Sequence, residues 1–278
     1  MAEWQSGSVE ANGETIHYTR TGGDGPVVVL AHGVTDNGLC WSPLARALEN
    51  DYDLIMVDAR GHGESSAPAG SYGPDVQAED LAGLITALGL EKPAVLGHSM
   101  GAGTALVLAG KHPDLVGAIL LEDPPAWWTA WYDSPEARDL VKGMEERAQS
   151  YKSMTRDEIV AAGAAGHDGW SDAELQPWAD SKIAFSPNVL VVFEPGNRAS
   201  VDWPATLGQI ASPVLLIMAD ADRGGIITPE RAAALQAMVP QTEVAHIGGA
   251  GHNIRREQFA PYVEVVREFL SEHTGSAA

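Results

Sequence analysis

The sequence predicts an α/β architecture: a mostly parallel central sheet flanked by helices, with one helical segment inserted into it. Three observations carry this. The short apolar runs are continuous rather than alternating, which is the pattern of strands buried on both faces. Stretches with helical spacing lie between these runs, so strand and helix take turns along the chain. The alternation stops in the middle of the chain and resumes near its end.

Taken in order, strands are expected at 27–31, 54–58, 94–97 and 118–122, with helices at 41–49, 76–88 and 101–111. After the interruption come a strand at 214–219, a helix at 229–238, a strand at 243–247 and a closing helix at 257–270. The middle holds Trp127, Trp128, Trp131, Trp170 and Trp178, with Trp203 at its end, so six of the eight tryptophans gather there. Helices are expected in it at 135–150, at 156–164 behind a Thr155 cap, and at 172–182 behind Ser171. The run 189–193 fits a strand or a buried helical turn. The chain therefore divides into a first core block (1–123), a helical cap or lid (124–203) and a second core block (204–278).

At 278 residues and 45% hydrophobic, the chain has material for a core, and disorder over most of its length is excluded. Seventeen basic against 38 acidic residues leave a net charge of −21. Such a surface repels phosphate backbones and anionic headgroups, so neither nucleic acid nor membrane is expected as a partner. No apolar run approaches the roughly 18 residues that span a bilayer, and no leader pattern opens the chain. The single cysteine, Cys40, excludes an intramolecular disulfide and a zinc site built on cysteine pairs. A reduced, cytoplasmic setting is expected. Cys40 itself reads as a small buried hydrophobe, with lining a pocket as the alternative.

The chemistry starts at Gly97-His98-Ser99-Met100-Gly101, which follows one apolar run and precedes a helical stretch. A serine in this setting sits on a sharp strand-to-helix turn where flanking side chains would collide, and its hydroxyl is pushed out at the carboxyl end of the sheet. The Met100 amide then lies at a helix N-terminus, which favours negative charge. His32-Gly33-Val34 ends an earlier strand, and the Val34 amide is expected to face the same crevice, giving two donors for an oxyanion. In 58–65 the glycines and polar residues suggest a self-satisfied loop, and His62 reads as structural.

Past the strand at 214–219 stand Asp220 and Asp222. A carboxylate there is placed to orient an imidazole. Asp222 is favoured because it lies beyond the strand end, Asp220 is expected to bond nearby backbone, and Asp123 is the reserve. Three glycines in 248–251 precede His252 and build a side-chain-free loop able to place an imidazole. His246 reads as core. No H-x-x-x-H or clustered His/Asp pattern suggests a metal, and no cofactor is expected.

The order Ser99, Asp222, His252, together with H-G-V, D-A-R-G-H-G-E-S, G-H-S-M-G and G-A-G-H, resembles the α/β-hydrolase superfamily. The similar branch is that of small serine esterases, lactonases, C–C bond hydrolases and cofactor-free haloperoxidases, and the resemblance spans roughly 12–123 and 204–278. Ala219 and Ala102 stand where family members often carry glycine. Serine rather than aspartate at 99 excludes the dehalogenase and epoxide-hydrolase branches. The resemblance implies an α/β-hydrolase fold and a carboxylic ester hydrolase, with Ser99 as nucleophile, His252 as base, Asp222 as orienting acid, and Val34 and Met100 as oxyanion donors. The expected substrate is a small apolar or aromatic ester or lactone, met by His32, Gly33, Trp127, Trp128 and Trp131. Alternatives are C–C hydrolysis or perhydrolysis by the same residues, or a ligand receptor with vestigial turnover.

Overall fold

Eight strands make one sheet: β1 (Gln5–Ala11), β2 (Glu14–Arg20), β3 (Val27–Ala31), β4 (Asp53–Val57), β5 (Ala94–His98), β6 (Ala118–Glu122), β7 (Val214–Met218) and β8 (Thr242–His246). Their order across it is β1-β2-β4-β3-β5-β6-β7-β8. The computed structural model describes residues 4–167, 169–194 and 200–275. From β4 to β8 every neighbouring pair is parallel. β1 and β2 add an antiparallel hairpin at one edge. Its turn is Asn12-Gly13, both with positive φ (50° and 78°), as a tight two-residue hairpin turn requires.

Successive side chains of the inner strands enter opposite cores, because a strand's side chains alternate between faces. In β3, Val29 and Ala31 join one cluster while Val28 and Leu30 join the other. β4 splits in the same way into Ile55 and Val57 against Leu54 and Met56, and β6 into Ile119 and Leu121 against Ala118 and Leu120. Both faces are covered, so these strands are apolar apart from Asp53 and Glu122 at their ends. Helices α2 (Pro74–Ala87) and α3 (Met100–Lys111) cover one face. Helix α1 (Ser42–Leu48) and the closing helix Phe259–His273 cover the other.

Between β6 and β7 lie α4 (Pro135–Tyr151), α5 (Arg156–Gly166) and α6 (Asp172–Ala184). A capping box starts α5: the Thr155 hydroxyl accepts from the Glu158 amide, and Glu158 accepts from the Thr155 amide. Ser171 stands at the N-cap of α6 without a side-chain bond to it. The run 189–193 is a 3₁₀ turn, Pro187–Phe193, with Val189 fully buried. The inserted helices carry a small core of their own around Ile159, Trp170, Leu175 and Trp178.

Candidate active site

The carboxyl ends of β3, β5 and β6 stand side by side, and the site is built on the turns that leave them. Ser99, between β5 and α3, is held at φ 51° and ψ −114°, outside the regions open to L-residues without strain. The residues two positions to either side must be glycine: a Cβ on Gly97 would lie 2.3 Å from the Gly101 carbonyl oxygen, and one on Gly101 would lie 2.2 Å from that of Ala31. The Ser99 amide donates to the Glu122 carbonyl at 2.9 Å, fixing the turn to the end of β6.

His252 Nε2 lies 3.0 Å from Ser99 Oγ, and His252 Nδ1 lies 2.6 Å from Asp123 Oδ2. Asp123 is wholly buried, and the amides of Ile226 (2.9 Å) and Ile227 (2.9 Å) also donate to its carboxylate. With Nδ1–H given to Asp123, Nε2 is left free to accept the serine proton. Burial opposes a charge on His252. The hydrogen bond and charge of Asp123, with Glu122 and Asp36 behind it, outweigh burial together and raise its pKa above the ordinary imidazole value. The His252 carbonyl in turn accepts from His98 Nε2 at 2.9 Å. Burial, followed by the charges of Arg255 and His252, pushes the pKa of His98 well down, so that ring is a neutral donor.

The partner of His252 is therefore Asp123 and not Asp222. After β7 the chain makes a short 3₁₀ turn, Ala221–Arg223, that leaves Asp222 exposed to solvent. The same connection then brings the Ile226 and Ile227 amides onto Asp123. Asp220 binds the Gly249 amide at 2.7 Å, as expected of a carboxylate serving nearby backbone. It also pairs with His246 at 2.7 Å, and the His246 side chain is 53% exposed rather than core. β8 is the edge strand of the sheet, and Glu243, Val244 and His246 on it are exposed.

Two cavities meet at Ser99. One, of about 40 Å³, is lined by Val34, Met100, Trp127, Trp131 and Leu140 together with Ser99. Met100 opens α3, so its amide has no acceptor within the helix. The other cavity, of about 410 Å³, is more polar. Gly33, Asp36, Ser99 and His252 from the core face Arg147, Tyr151, Trp170 and Lys182 from the inserted segment across it.

Two expected contacts fall outside both cavities. His32 is buried beside them, its Nδ1 bonding the Gly33 carbonyl at 2.8 Å and its Nε2 accepting the Ala59 amide at 3.0 Å, so it knits loops together. Trp128 turns away and donates to the Arg231 carbonyl at 3.2 Å. Trp127 packs over Gly103, where a Cβ would come within 2.4 Å of its ring. Trp131 stacks on the Arg231 guanidinium. Cys40 is fully buried, with Asn37 and Pro177 as its neighbours. His62 is buried, and its pKa falls to about 3, chiefly through burial, consistent with a structural residue. Among the described residues, no three His, Cys, Asp or Glu side chains group as a metal site. No helix among them is long and apolar enough to cross a membrane.

Residues 26–255 match the family described as alpha/beta hydrolase fold. The chain belongs to that family. Among its alpha/beta hydrolase relatives is N-formylmaleamate deformylase of Pseudomonas putida, 31% identical over 95% of this chain and 96% of the relative. Another is 2-(acetamidomethylene)succinate hydrolase of Mesorhizobium japonicum, 28% identical over 90% of each. A solved structure of E-2-(acetamidomethylene)succinate hydrolase superposes with a TM-score of 0.83 at 23% identity, covering 96% of this chain and 99% of the other, and shares the fold. A thermophilic esterase from Thermogutta terrifontis, solved with malate bound, gives 0.75 at 25% identity over 97% and 100%. These alpha/beta hydrolase relatives are hydrolases, which supports an enzyme of that class. No local sequence motif marks the inserted-segment residues Arg147, Tyr151 and Lys182 that line the cavity.

Proposed function

We propose that the chain is a serine hydrolase that removes a short acyl group from a small, carboxylate-bearing amide or ester through an acyl-enzyme. The observation that carries this is the hydrogen-bonded series Ser99 Oγ, His252, Asp123 at 3.0 and 2.6 Å. In this reading His252 takes the Ser99 proton as Oγ attacks the acyl carbon, and Asp123 stabilises the imidazolium. The Val34 and Met100 amides receive the oxyanion. His252 then gives its proton to the leaving nitrogen or oxygen, and water attacks the acyl-enzyme with His252 again as base, releasing the acid and restoring Ser99.

The substrate class rests on the two cavities. The 40 Å³ space lined by Val34 and Met100 holds about three water-sized spheres, room for a formyl or acetyl group. The larger polar cavity takes the leaving group. Arg147 lines it and, among the described residues, has no carboxylate within ion-pair distance, although Asp139 shares the wall. A free guanidinium on the pocket wall of a chain with net charge −21 suits a carboxylate on the substrate. The names of the deformylase and the succinate hydrolase agree with a short acyl amide bearing carboxylates. Trp127 and Trp131, with the likeness to an esterase, favour a short-chain ester as the second reading. The inserted helices serve as a cap over the pocket, and the single buried Cys40 accords with a cytoplasmic setting.

A panel of N-formyl and N-acetyl amides, with and without a carboxylate, run against the matching esters tests this reading. Turnover of carboxylate-bearing short acyl substrates, lost in Ser99→Ala, is the expected result. Tight binding without turnover, or cleavage confined to C–C bonds, would overturn it.

A further inference from the structure

A buried ion-pair network flanks both the turn that carries Val34 and the carboxylate of Asp123. Asp36, two residues past Val34, receives Lys182 Nζ at 2.7 Å and the Arg256 guanidinium at 2.9 Å, with Arg255 at 3.4 Å. Arg255 binds Glu122, the neighbour of Asp123, through its guanidinium and its own amide, both at 3.0 Å. Arg256 reaches Glu174 at 3.3 Å. Lys182 and Glu174 both belong to α6, so the inserted segment enters the core through these two charges.

Lys182 does one thing that Glu174 does not. Its Nζ also donates to the Thr35 carbonyl at 3.1 Å. Thr35 has φ 68°, a left-handed conformation that a β-branched residue avoids. It sits in the turn closed by the Asp36 amide on the Gly33 carbonyl at 3.1 Å, the turn that carries Val34. A backbone held in such a region persists only where its surroundings over-determine it. Here the holding group is a lysine that is only 2% exposed and that grips the turn at both a carbonyl and a carboxylate.

We infer that Lys182 is a positioning residue for the oxyanion site: reaching from α6, it holds the Gly33–Asp36 turn in the conformation that presents the Val34 amide. Hydrolysis at Ser99 then depends on the inserted helix being docked. This rests on the reading of Ser99 as nucleophile and Val34 as oxyanion donor.

The test uses 4-nitrophenyl acetate turnover and the affinity of ethylboronic acid, which forms a tetrahedral adduct on a serine hydroxyl. Lys182→Met is expected to lower kcat by about 10- to 100-fold with KM little changed, since a displaced donor is lost mainly from the transition state. Boronate affinity falls by the same factor as kcat/KM. Lys182→Arg, which keeps the charge and the donors, recovers part of both. Glu174→Gln removes the other buried charge of α6 while Lys182 keeps the helix docked on the turn, so it lowers thermal stability and keeps kcat and boronate affinity. Wild-type kcat and boronate affinity in Lys182→Met, or equal losses in Glu174→Gln, would overturn the inference. If Lys182→Met does not fold, Asp36→Asn carries the same comparison: kcat and boronate affinity fall together, and unchanged values overturn it. Wild type that shows no nitrophenol burst defeats the hydrolase reading itself, whereas a wild-type burst with unaltered variants defeats the inference alone.

Discussion

Asp123 and His252, 129 positions apart in the chain, meet at 2.6 Å, and Asp123 takes two further amides from the connection that follows β7. The acid beside the imidazole therefore comes from the end of β6. Asp123→Asn is expected to lower kcat by about 10⁴-fold, because the amide no longer selects the productive tautomer. Asp222→Asn, on an exposed turn, leaves kcat unchanged. Steady-state kinetics of the two variants decide the assignment, and a loss in Asp222→Asn matching that in Asp123→Asn would reverse it.

The same pair sets the pH dependence. His252 acts as base only when neutral, and Asp123 holds its pKa above the usual value despite burial. Activity should rise with pH through that raised pKa, so the acid limb of kcat/KM has its midpoint above about 6.5. In Asp123→Asn the residual activity has its acid limb shifted to lower pH. A wild-type limb below the free-imidazole value would contradict the proposed environment of His252.

Acyl length follows from the small cavity. Specificity constants for 4-nitrophenyl esters should fall from acetyl to hexanoyl, since the small cavity of about 40 Å³ beside Ser99 suits a short acyl group. Trp131→Ala opens one wall and flattens that ranking. An unchanged ranking in the variant would place the acyl group elsewhere.

Arg147 is expected to govern KM rather than kcat. Replacing it with alanine should raise KM for a carboxylate-bearing amide by about 10- to 100-fold, the worth of one charged hydrogen bond. KM for 4-nitrophenyl acetate, which has no carboxylate, stays near wild type. Equal effects on both substrates would show a structural role instead.

Away from the site, His62 links stability to acid. Its folded pKa is lowered to about 3, so between about 6.5 and 3 the unfolded chain binds a proton that the folded chain refuses. Its contribution therefore lowers stability as pH falls through that window. Denaturant melts of His62→Gln across the window should show a pH slope shallower by about one proton. A slope equal to wild type would mean that His62 is protonated in the fold.

Strands β3 to β7 were legible because both faces are buried, which leaves unbroken apolar runs such as Val27–Ala31 and Val214–Met218. The β1–β2 hairpin is hard to read, since its strands are half exposed and polar, although Asn12-Gly13 is a turn signal. Ser99 and His252 were legible because glycines around each announce a backbone that side chains would block. The acid was not. β6 and β7 are neighbours in the sheet, so a histidine loop can meet a carboxylate from either end, and only the fold of the Ala221–Ile227 connection chooses. Lys182 and Arg147 are illegible for a further reason. They line the cavity between the inserted segment and the core, a contact that no local pattern encodes.

The most direct measurement is rapid-quench mass spectrometry of the protein after mixing with 4-nitrophenyl acetate, with peptide mapping. The account predicts one acetyl group on the peptide that carries Ser99, formed with the nitrophenol burst and absent in Ser99→Ala. Turnover with no acetyl group on Ser99, or one trapped on a different residue, would contradict it.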